Sequence, residues 1–373
     1  MIFHSINNLF IILFFGALIL LSFVFLTNPM GINKKGNRIF AIFLLFYASF
    51  WLEEVVAMSG FRPIHPMVLV ILHGLQIFTP TSLYFSIMYY SRPNFKIIPT
   101  HSLHLILPAF YISIRILIPT GGGQWPLLKP VAIVLILSQS LLYAILSYIK
   151  IRQHRKNILQ YSSSTRGINL NWLEYIVIQI ILLCMIIIWH NIFVSTSNLN
   201  LFINSIQMVT VFTIAYFSLR QKEIFPVAEE KVNDIIAATS EPNTPDTAHE
   251  KKKILSDSDL ISLKKQLGNI MRTKEPYLDS DLNLVKLASL LNVTPHQLSY
   301  IINTGFGENF FRFVNRYRVE KAKKLLLKNN PSQTMLGIAF DAGFNSKTAF
   351  NTTFKKLTGM TPSEYKRKAG GNS

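Results

Sequence analysis

Seven long apolar runs occupy most of the first 220 residues, and they constrain the fold more than any other feature of the chain. Each has about 19 or more residues, enough for an α-helix to cross a hydrocarbon core of about 30 Å. Soluble proteins rarely bury so many such helices in succession, so the sequence predicts a membrane bundle. The first run lacks a basic leader and a small-residue cleavage site, and we interpret it as a span. The runs lie at about 5–27, 39–59, 66–90, 97–118, 131–150, 172–194 and 201–219.

Basic residues are divided unevenly among the connections between these runs. The segments that follow runs one, three, five and seven hold 12 Lys and Arg, whereas the other three connections hold 2. Because Lys and Arg concentrate in cytoplasmic loops, this asymmetry predicts an external N-terminus and a cytoplasmic C-terminus. Such a topology requires an odd number of spans, which agrees with seven. The predicted location is the cytoplasmic membrane, which the chain crosses several times.

The predicted topology brings five of the ionisable residues within the apolar runs to the outer third of the bilayer. Charged groups are costly in a membrane, so each needs a reason. One interpretation is a polar site that binds a small-molecule or membrane signal. The other is an ion pair between Glu and Arg that fixes helix packing. No metal site is predicted, because the spacing is not typical of metal ligands. The five residues are Glu53, Glu54, His73, Arg115 and His190.

The composition changes abruptly after the seventh run. Residues 239–250 are acidic and rich in Pro, Ser, Thr and Asn, which is typical of a flexible tether. From residue 251 onward the chain holds 21 basic and 9 acidic residues, and so +12 of the net charge of +18. A basic soluble domain suggests a polyanionic partner. We therefore divide the chain into a membrane domain (1–222), a linker (223–254) and a soluble domain (255–373).

The soluble domain contains the pattern of two short helices joined by a tight turn, and it contains it twice. In "DLNLVKLASLLNVTPHQLSYIINTGFG" the turn falls at Asn292, and "TPHQ" then opens a helix with a capping box. In "IAFDAGFNSKTAFNTTFKKLTGMTPSEY" the turn falls at Gly343. A long amphipathic stretch, 309–329, connects the two patterns. Both are typical of helix-turn-helix units, in which the second helix carries a free polar face.

Residues of about 270–368, a quarter of the chain, resemble the DNA-binding domain of the AraC/XylS family of transcription regulators. The resemblance rests on "PYLDSDLNLVKLASLLNVTPHQLS", "NRYRVEKAKKLL" and "IAFDAGFNSKTAFNTTFKKLTGMTPSEYKR". It implies that two recognition helices enter successive major-groove segments on one face of double-stranded promoter DNA. It also implies a bacterial setting, so that the predicted membrane is the bacterial inner membrane. Many family members carry a basic residue at the position of Thr352, where this chain departs from the family. By motif position the base-reading candidates are His296, Ser299 and Tyr300 in the first unit and Lys347, Thr348, Asn351 and Thr352 in the second.

Other basic residues of this domain are candidates for phosphate contacts, which fix the register of a protein on DNA without reading bases. Solvated surface charge is the alternative interpretation. These residues are Lys286, Arg312, Arg316, Lys355 and Lys356.

Together these features predict an all-α protein, with a seven-helix transmembrane bundle followed by a soluble AraC-type domain of two helix-turn-helix units. We interpret it as a membrane-embedded one-component transcription regulator, not an enzyme, that needs no cofactor. Its expected partners are promoter DNA, the lipid bilayer, an unknown signal and RNA polymerase, and a homodimer is compatible with the sequence. The alternative is a transporter or membrane enzyme with an autoregulatory DNA-binding domain. The absence of paired acids and of a nucleophile–base set in the sequence argues against this alternative.

Overall fold

The computed structural model describes residues 2–60, 65–92, 95–117, 128–164, 168–193, 200–218, 254–328 and 333–370. Every regular element in these ranges is a helix. The chain divides into two compact units. Met1–His154 with Leu170–Phe225 form the first, and Arg155–Asn169 with Pro226–Ser373 form the second. The linker predicted at 223–254 lies outside the described residues, apart from its last residue.

The first unit is a set of α-helices of very different lengths. Short 3₁₀ segments precede α3 and α6, at Ser49–Trp51 and Pro99–Leu105. The last turns of α7 belong to the second unit. The helices are α1 (Ile2–Thr27), α2 (Lys34–Ala48), α3 (Leu52–Met58), α4 (Pro66–Gln76), α5 (Thr79–Ser91), α6 (Ile106–Leu117), α7 (Leu128–Tyr161), α8 (Asn171–Phe193) and α9 (Asn200–Ser218).

Five helical stretches are long and apolar enough to cross a membrane, where the sequence predicts seven spans. They match runs one, two, three, five and six. In the fourth run, His101 and His104 lie in the 3₁₀ segment before the 12-residue α6. In the seventh, the apolar part of α9 is the shorter Ile203–Phe217. The five stretches are Ile6–Thr27, Lys34–Met58, Met67–Ser91, Pro130–Tyr161 and Asn171–Trp189.

Large apolar side chains lie on the outside of these helices. Leu20 and Phe23 of α1 are 64% and 62% exposed, and Ile71 of α4 is 63% exposed. Exposed apolar side chains of this kind are unfavourable in water and favourable against lipid acyl chains. The exposed surface is therefore compatible with membrane insertion.

Polar side chains inside the first unit pair with one another and with the main chain. Gln139 of α7 is fully buried, and its Nε2 donates to the carbonyl oxygen of Ile77 (2.9 Å) and to Oγ1 of Thr81 (3.1 Å). The Trp51 indole donates to Oδ1 of Asn204 (3.0 Å), which joins the segment before α3 to α9. Interhelical hydrogen bonds of this kind accommodate polar groups among apolar helices. These residues therefore have packing roles.

The second unit contains the two predicted helix-turn-helix patterns in the order that the sequence indicates. A 3₁₀ turn (Pro276–Leu278) follows α10, and a π-helical turn (Ile301–Gly305) extends α12. The helices are α10 (Asp257–Thr273), α11 (Leu284–Leu291), α12 (Pro295–Tyr300), α13 (Phe310–Leu327), α14 (Met335–Asp341), α15 (Lys347–Thr358) and α16 (Pro362–Gly370).

Each helix-turn-helix pattern has a buried apolar side, and the long helix α13 contributes to the second of these cores. Val319, Ala322 and Leu326 of α13 pack in one cluster with the apolar residues of α14 and α15. Burial of these side chains is what holds such short helices in place, because isolated helices of this length are unstable in water. The apolar anchors of both patterns are at most 3% exposed, namely Leu284, Leu287, Leu298, Ile338, Phe344, Phe350 and Phe354.

Candidate nucleic-acid interface

The first helix-turn-helix unit turns at Asn292, which adopts a left-handed conformation (φ 56°). The main chain then leaves α11, and the amide of Val293 donates to the carbonyl oxygen of Ala288 (3.1 Å). Thr294 begins α12: its Oγ1 accepts from the amide of Gln297 (3.2 Å), and the Gln297 side chain accepts from the amide of Thr294 (2.9 Å). The predicted capping box is therefore confirmed, and it fixes the direction in which α12 starts.

The three base-reading candidates of α12 differ in their exposure. His296 and Tyr300 are partly exposed, whereas Ser299 is only 5% exposed. The Ser299 hydroxyl lies 3.4 Å from Nδ2 of Asn303, one turn further along. Because a base edge cannot reach a buried hydroxyl without a rearrangement, this placement favours a packing role for Ser299.

The second helix-turn-helix unit turns at Gly343, where the backbone has φ 87°. A Cβ atom at this position would lie 2.3 Å from the carbonyl oxygen of Tyr277, so the close approach requires glycine. The amide of Phe344 donates to the carbonyl oxygen of Ala339 (2.9 Å), and Oγ of Ser346 then caps α15. The turn itself therefore lies against the segment that leads into the first helix-turn-helix unit.

The polar face of α15 is open. Lys347, Thr348 and Thr352 are exposed, and Asn351 is partly exposed. Phe350 and Phe354 hold the opposite face in the core, since both are fully buried. The helix therefore presents a 12-residue surface with one charged and three neutral polar side chains, which can donate to and accept from base edges.

Three of the five phosphate candidates already have acidic partners. Nζ of Lys286 lies 2.7 Å from Oδ2 of Asp279. Glu308 lies 3.6 Å from Nε of Arg312 and 3.2 Å from Nε of Arg316, so one carboxylate faces two guanidinium groups. A phosphate contact by any of these three basic residues would require it to exchange its carboxylate partner for the phosphate.

The other two phosphate candidates, Lys355 and Lys356, are exposed at the C-terminal end of α15. They lie on the same helix as the second set of base-reading candidates. Their position suits contacts to the backbone that flanks the groove.

Arg318 is a residue that sequence reasoning missed. It lies on α13, is 1% exposed, and donates from Nε to the carbonyl oxygen of Tyr277 (2.7 Å) and from Nη2 to that of Asp279 (2.8 Å). Burial lowers the pKa of its guanidinium to about 10, although Asp279 and Asp281 oppose this shift. The available signal was a single Arg, four residues after buried Val314, on the apolar side of an amphipathic helix.

The structure brings together two of the five outer-third candidates of the first unit. Nη2 of Arg115 lies 2.5 Å from Nδ1 of His73. Glu53 and Glu54 are exposed on α3, and the side chain of His190 lies outside the described residues. The polar pairing that the structure describes here is therefore between Arg and His.

Comparison with known proteins agrees with this geometry. Residues 287–368 match a family model described as a helix-turn-helix domain. The C-terminal region is an AraC-type helix-turn-helix domain. It accounts for less than a quarter of the chain, so the match concerns this domain alone.

Three of the relatives are named as transcriptional regulators, two of them as uncharacterized ones. An uncharacterized HTH-type transcriptional regulator of Staphylococcus aureus strain COL is 26% identical over 40% of this chain and 19% of its own length. The transcriptional regulatory protein YesN of Bacillus subtilis is 36% identical over 22% and 23%. The HTH-type transcriptional regulator MtrA of Neisseria gonorrhoeae is 29% identical over 28% and 35%. The chain thus covers only 19–35% of these three relatives. No solved structure matches.

Proposed function

We propose that this chain is a membrane-embedded one-component transcription regulator that binds promoter DNA through both helix-turn-helix units. The observation that carries the proposal is the pairing of two such units on one helix, α13, with apolar membrane-compatible helices in the same chain. Regulators of this kind need no separate sensor protein, because one chain holds the sensing and the reading parts.

The base-reading surface is centred on α15. Lys347, Thr348, Asn351 and Thr352 contact base edges, and His296 and Tyr300 of α12 contact a second major-groove segment. Lys355 and Lys356 contact phosphates, and Lys286, Arg312 and Arg316 join them after exchanging their acidic partners. Support for this assignment comes from the exposure of the α15 polar face and the partial exposure of α12.

The membrane half senses the signal in this proposal. Seven spans with an external N-terminus place the DNA-binding domain in the cytoplasm, and the uneven loop charges support this topology. The paired Arg115 and His73 mark the polar position at which a signal acts. RNA polymerase and a second copy of the chain are the further partners that the proposal includes.

The direct test uses the full chain in lipid nanodiscs and a library of fragments from the genome that encodes it. The proposal expects enrichment of a shared motif, with a dissociation constant that rises steeply with salt because phosphate contacts release counterions. A matched Asn351→Ala variant should lose the enrichment and keep its fold. Failure of the folded wild-type protein to enrich any sequence at low salt would overturn the proposal.

A further inference from the structure

The segment Ser162–Ser164, which follows α7, forms part of the second unit and contacts the DNA-binding domain within it. We name this segment the serine clasp. Ser162 forms an isolated antiparallel bridge with Asn283, the residue that caps α11. Ser163 donates to the carbonyl oxygen of Leu282 twice, from its amide (3.3 Å) and from its hydroxyl (2.6 Å). The clasp therefore pairs, strand-like, with the segment that leads into the first helix-turn-helix unit.

The serine clasp also satisfies buried donors of the central helix α13. The carbonyl oxygen of Ser163 accepts from Nδ2 of Asn315 (3.1 Å) and from Nη1 of Arg318 (3.1 Å). Its hydroxyl accepts from Nη2 of Arg318 (3.0 Å). All three residues are 1% exposed. A buried guanidinium that loses hydrogen-bond acceptors is strongly unfavourable. Arg318 therefore favours the state in which Ser163 of the clasp supplies two of its acceptors.

A third contact joins the clasp to the second helix-turn-helix unit. Nδ2 of Asn345, in the turn before α15, donates to the Ser164 hydroxyl (2.6 Å). Arg318 also lies over the ring of Phe344, with 5.9 Å between its Cζ and the ring centroid. Three consecutive serines thus contact the lead into α11, the central helix and the turn before α15. These three parts set the relative orientation of the two helix-turn-helix units.

We propose that this junction is a docking site for the serine clasp, and that docking holds the two helix-turn-helix units in the orientation that binds DNA. The inference rests on the proposed function, since it assigns the means of regulating it. Two recognition helices bind one DNA face only in a fixed relative orientation. The docked clasp leaves Lys347, Thr348 and Thr352 exposed, so it does not cover this part of the reading surface.

The position of the clasp in the chain gives the first unit a direct covalent connection to this junction. α7 ends at Tyr161, one residue before the clasp, and α8 begins at Asn171. A signal that shifts α7 against α8 therefore pulls on the clasp, whatever the segment at 223–254 does. A signal acts on DNA affinity here only by its different affinity for the docked and undocked states.

The first experiment measures duplex binding and hydrogen exchange of the full chain in nanodiscs for Ser163→Ala, with Asn157→Ala as the matched control on the exposed side of α7. Loss of the Ser163 hydroxyl should weaken DNA binding about threefold to tenfold. It should also speed amide exchange in the peptide covering Ser162–Ser164. Asn157→Ala should change neither. Unchanged affinity or unchanged exchange in Ser163→Ala would overturn the proposal.

A second variant separates loss of docking from loss of folding. Ser164→Cys with Asn345→Cys places two thiols where the side-chain ends meet, in a Cys184→Ala background and together with Ser163→Ala. Oxidation should cross-link the pair and restore the DNA affinity that Ser163→Ala loses, and reduction should remove the gain. A cross-linked protein that binds no better than its reduced form would contradict the proposal, and so would a failure to cross-link.

The outcomes distinguish this inference from the proposed function. If the wild-type protein binds DNA and Ser163→Ala binds equally well, the clasp has no role and the proposed function stands. If the folded wild-type protein binds no DNA, the proposed function fails. The cross-linking and exchange results then show only whether the clasp docks, and its assigned role in DNA binding fails with the function.

Discussion

The two helix-turn-helix units have the same plan and differ in how their turns and reading helices are built. The first turns at Asn292, an exposed residue in a left-handed conformation, whereas the second turns at buried Gly343 against the carbonyl oxygen of Tyr277. The second helix of the first unit, α12, has six residues before a π-helical turn, whereas the second helix of the second unit, α15, has twelve. The second unit therefore combines a stricter backbone with a longer open surface.

This difference indicates a division of labour between the units. Ser299 of the first reading helix is buried, while three of the four candidates on the second are exposed. We infer that α15 supplies most of the base discrimination and that α12 adds register and a smaller number of contacts. Variants in matched positions of the two units test this comparison directly.

The largest expected effect comes from substituting alanine at each turn. Gly343→Ala places a Cβ against main-chain atoms that cannot move aside, and we expect a loss of unfolding free energy on the order of 3 kcal/mol. Asn292→Ala should cost about 1 kcal/mol or less, because Asn adopts the left-handed conformation more readily than Ala does. Native-state hydrogen exchange of residues 284–358 in the full chain measures both. Equal losses at the two turns would break the comparison.

The next effect concerns base discrimination. Asn351→Ala removes a bidentate donor and acceptor from α15 and should weaken specific DNA binding about tenfold or more. Ser299→Ala should change the affinity less than about twofold, because its hydroxyl is buried and lies next to Asn303. Titration of a selected duplex against each variant gives both values. A larger loss for Ser299→Ala would show that α12 is the main reader.

The contribution of each basic residue to phosphate binding should depend on whether it already has an acidic partner in the free protein. Log affinity falls as log salt rises. Lys355→Gln should make this negative slope shallower by about one, since one phosphate contact is lost. Glu308→Gln should raise DNA affinity, because Arg312 and Arg316 no longer face a carboxylate. Binding measured over a range of salt concentrations tests both. No change of slope in Lys355→Gln would make that residue solvated charge only.

The smallest effect is on the acid stability of the second compact unit, which contains both helix-turn-helix units. The Tyr277 hydroxyl (2.6 Å) and the Lys321 ammonium (2.9 Å) donate to Glu275 and hold the pKa of its carboxyl below the ordinary value. Because the folded-state pKa is depressed, this stabilisation is present above the unfolded pKa and is lost as the pH falls through the folded one. Glu275→Gln should flatten the pH dependence of unfolding below about pH 4.5. Glu364→Gln, a surface capping residue, should flatten it less.

Sequence patterns predicted the helices and turns of the second compact unit well, because capping residues, turn residues and apolar periodicity involve residues that are close in sequence. The "TPHQ" capping box, the turns at Asn292 and Gly343 and the apolar anchors such as Phe350 all depend on residues close in sequence. The burial of Ser299 was not predicted, because its position next to the π-helical turn depends on tertiary packing. The role of Arg318 also depends on distant partners, since Tyr277 lies 41 residues earlier and Ser163 lies 155 residues earlier.

In the first compact unit, hydropathy predicted the long helices, and five of the seven predicted spans match described helices that are long and apolar enough to cross a membrane. Runs four and seven contain polar residues such as His101, His104, Asn204 and Gln207, which a run-length criterion tolerates. The structure describes shorter apolar helices there. The Glu–Arg ion pair was one of two interpretations of the outer-third residues, and Arg115 lies against His73 instead. Side-chain partners across helices do not follow from periodicity.

The central claim is that both helix-turn-helix units contact one face of DNA at the same time. Hydroxyl-radical footprinting of the full chain in nanodiscs on its selected site tests it most directly. The account predicts two protected segments about 10 base pairs apart on the same face, the separation of successive major-groove segments. Asn351→Ala should weaken protection of one segment more than the other. A single protected segment with the wild-type protein would contradict the account.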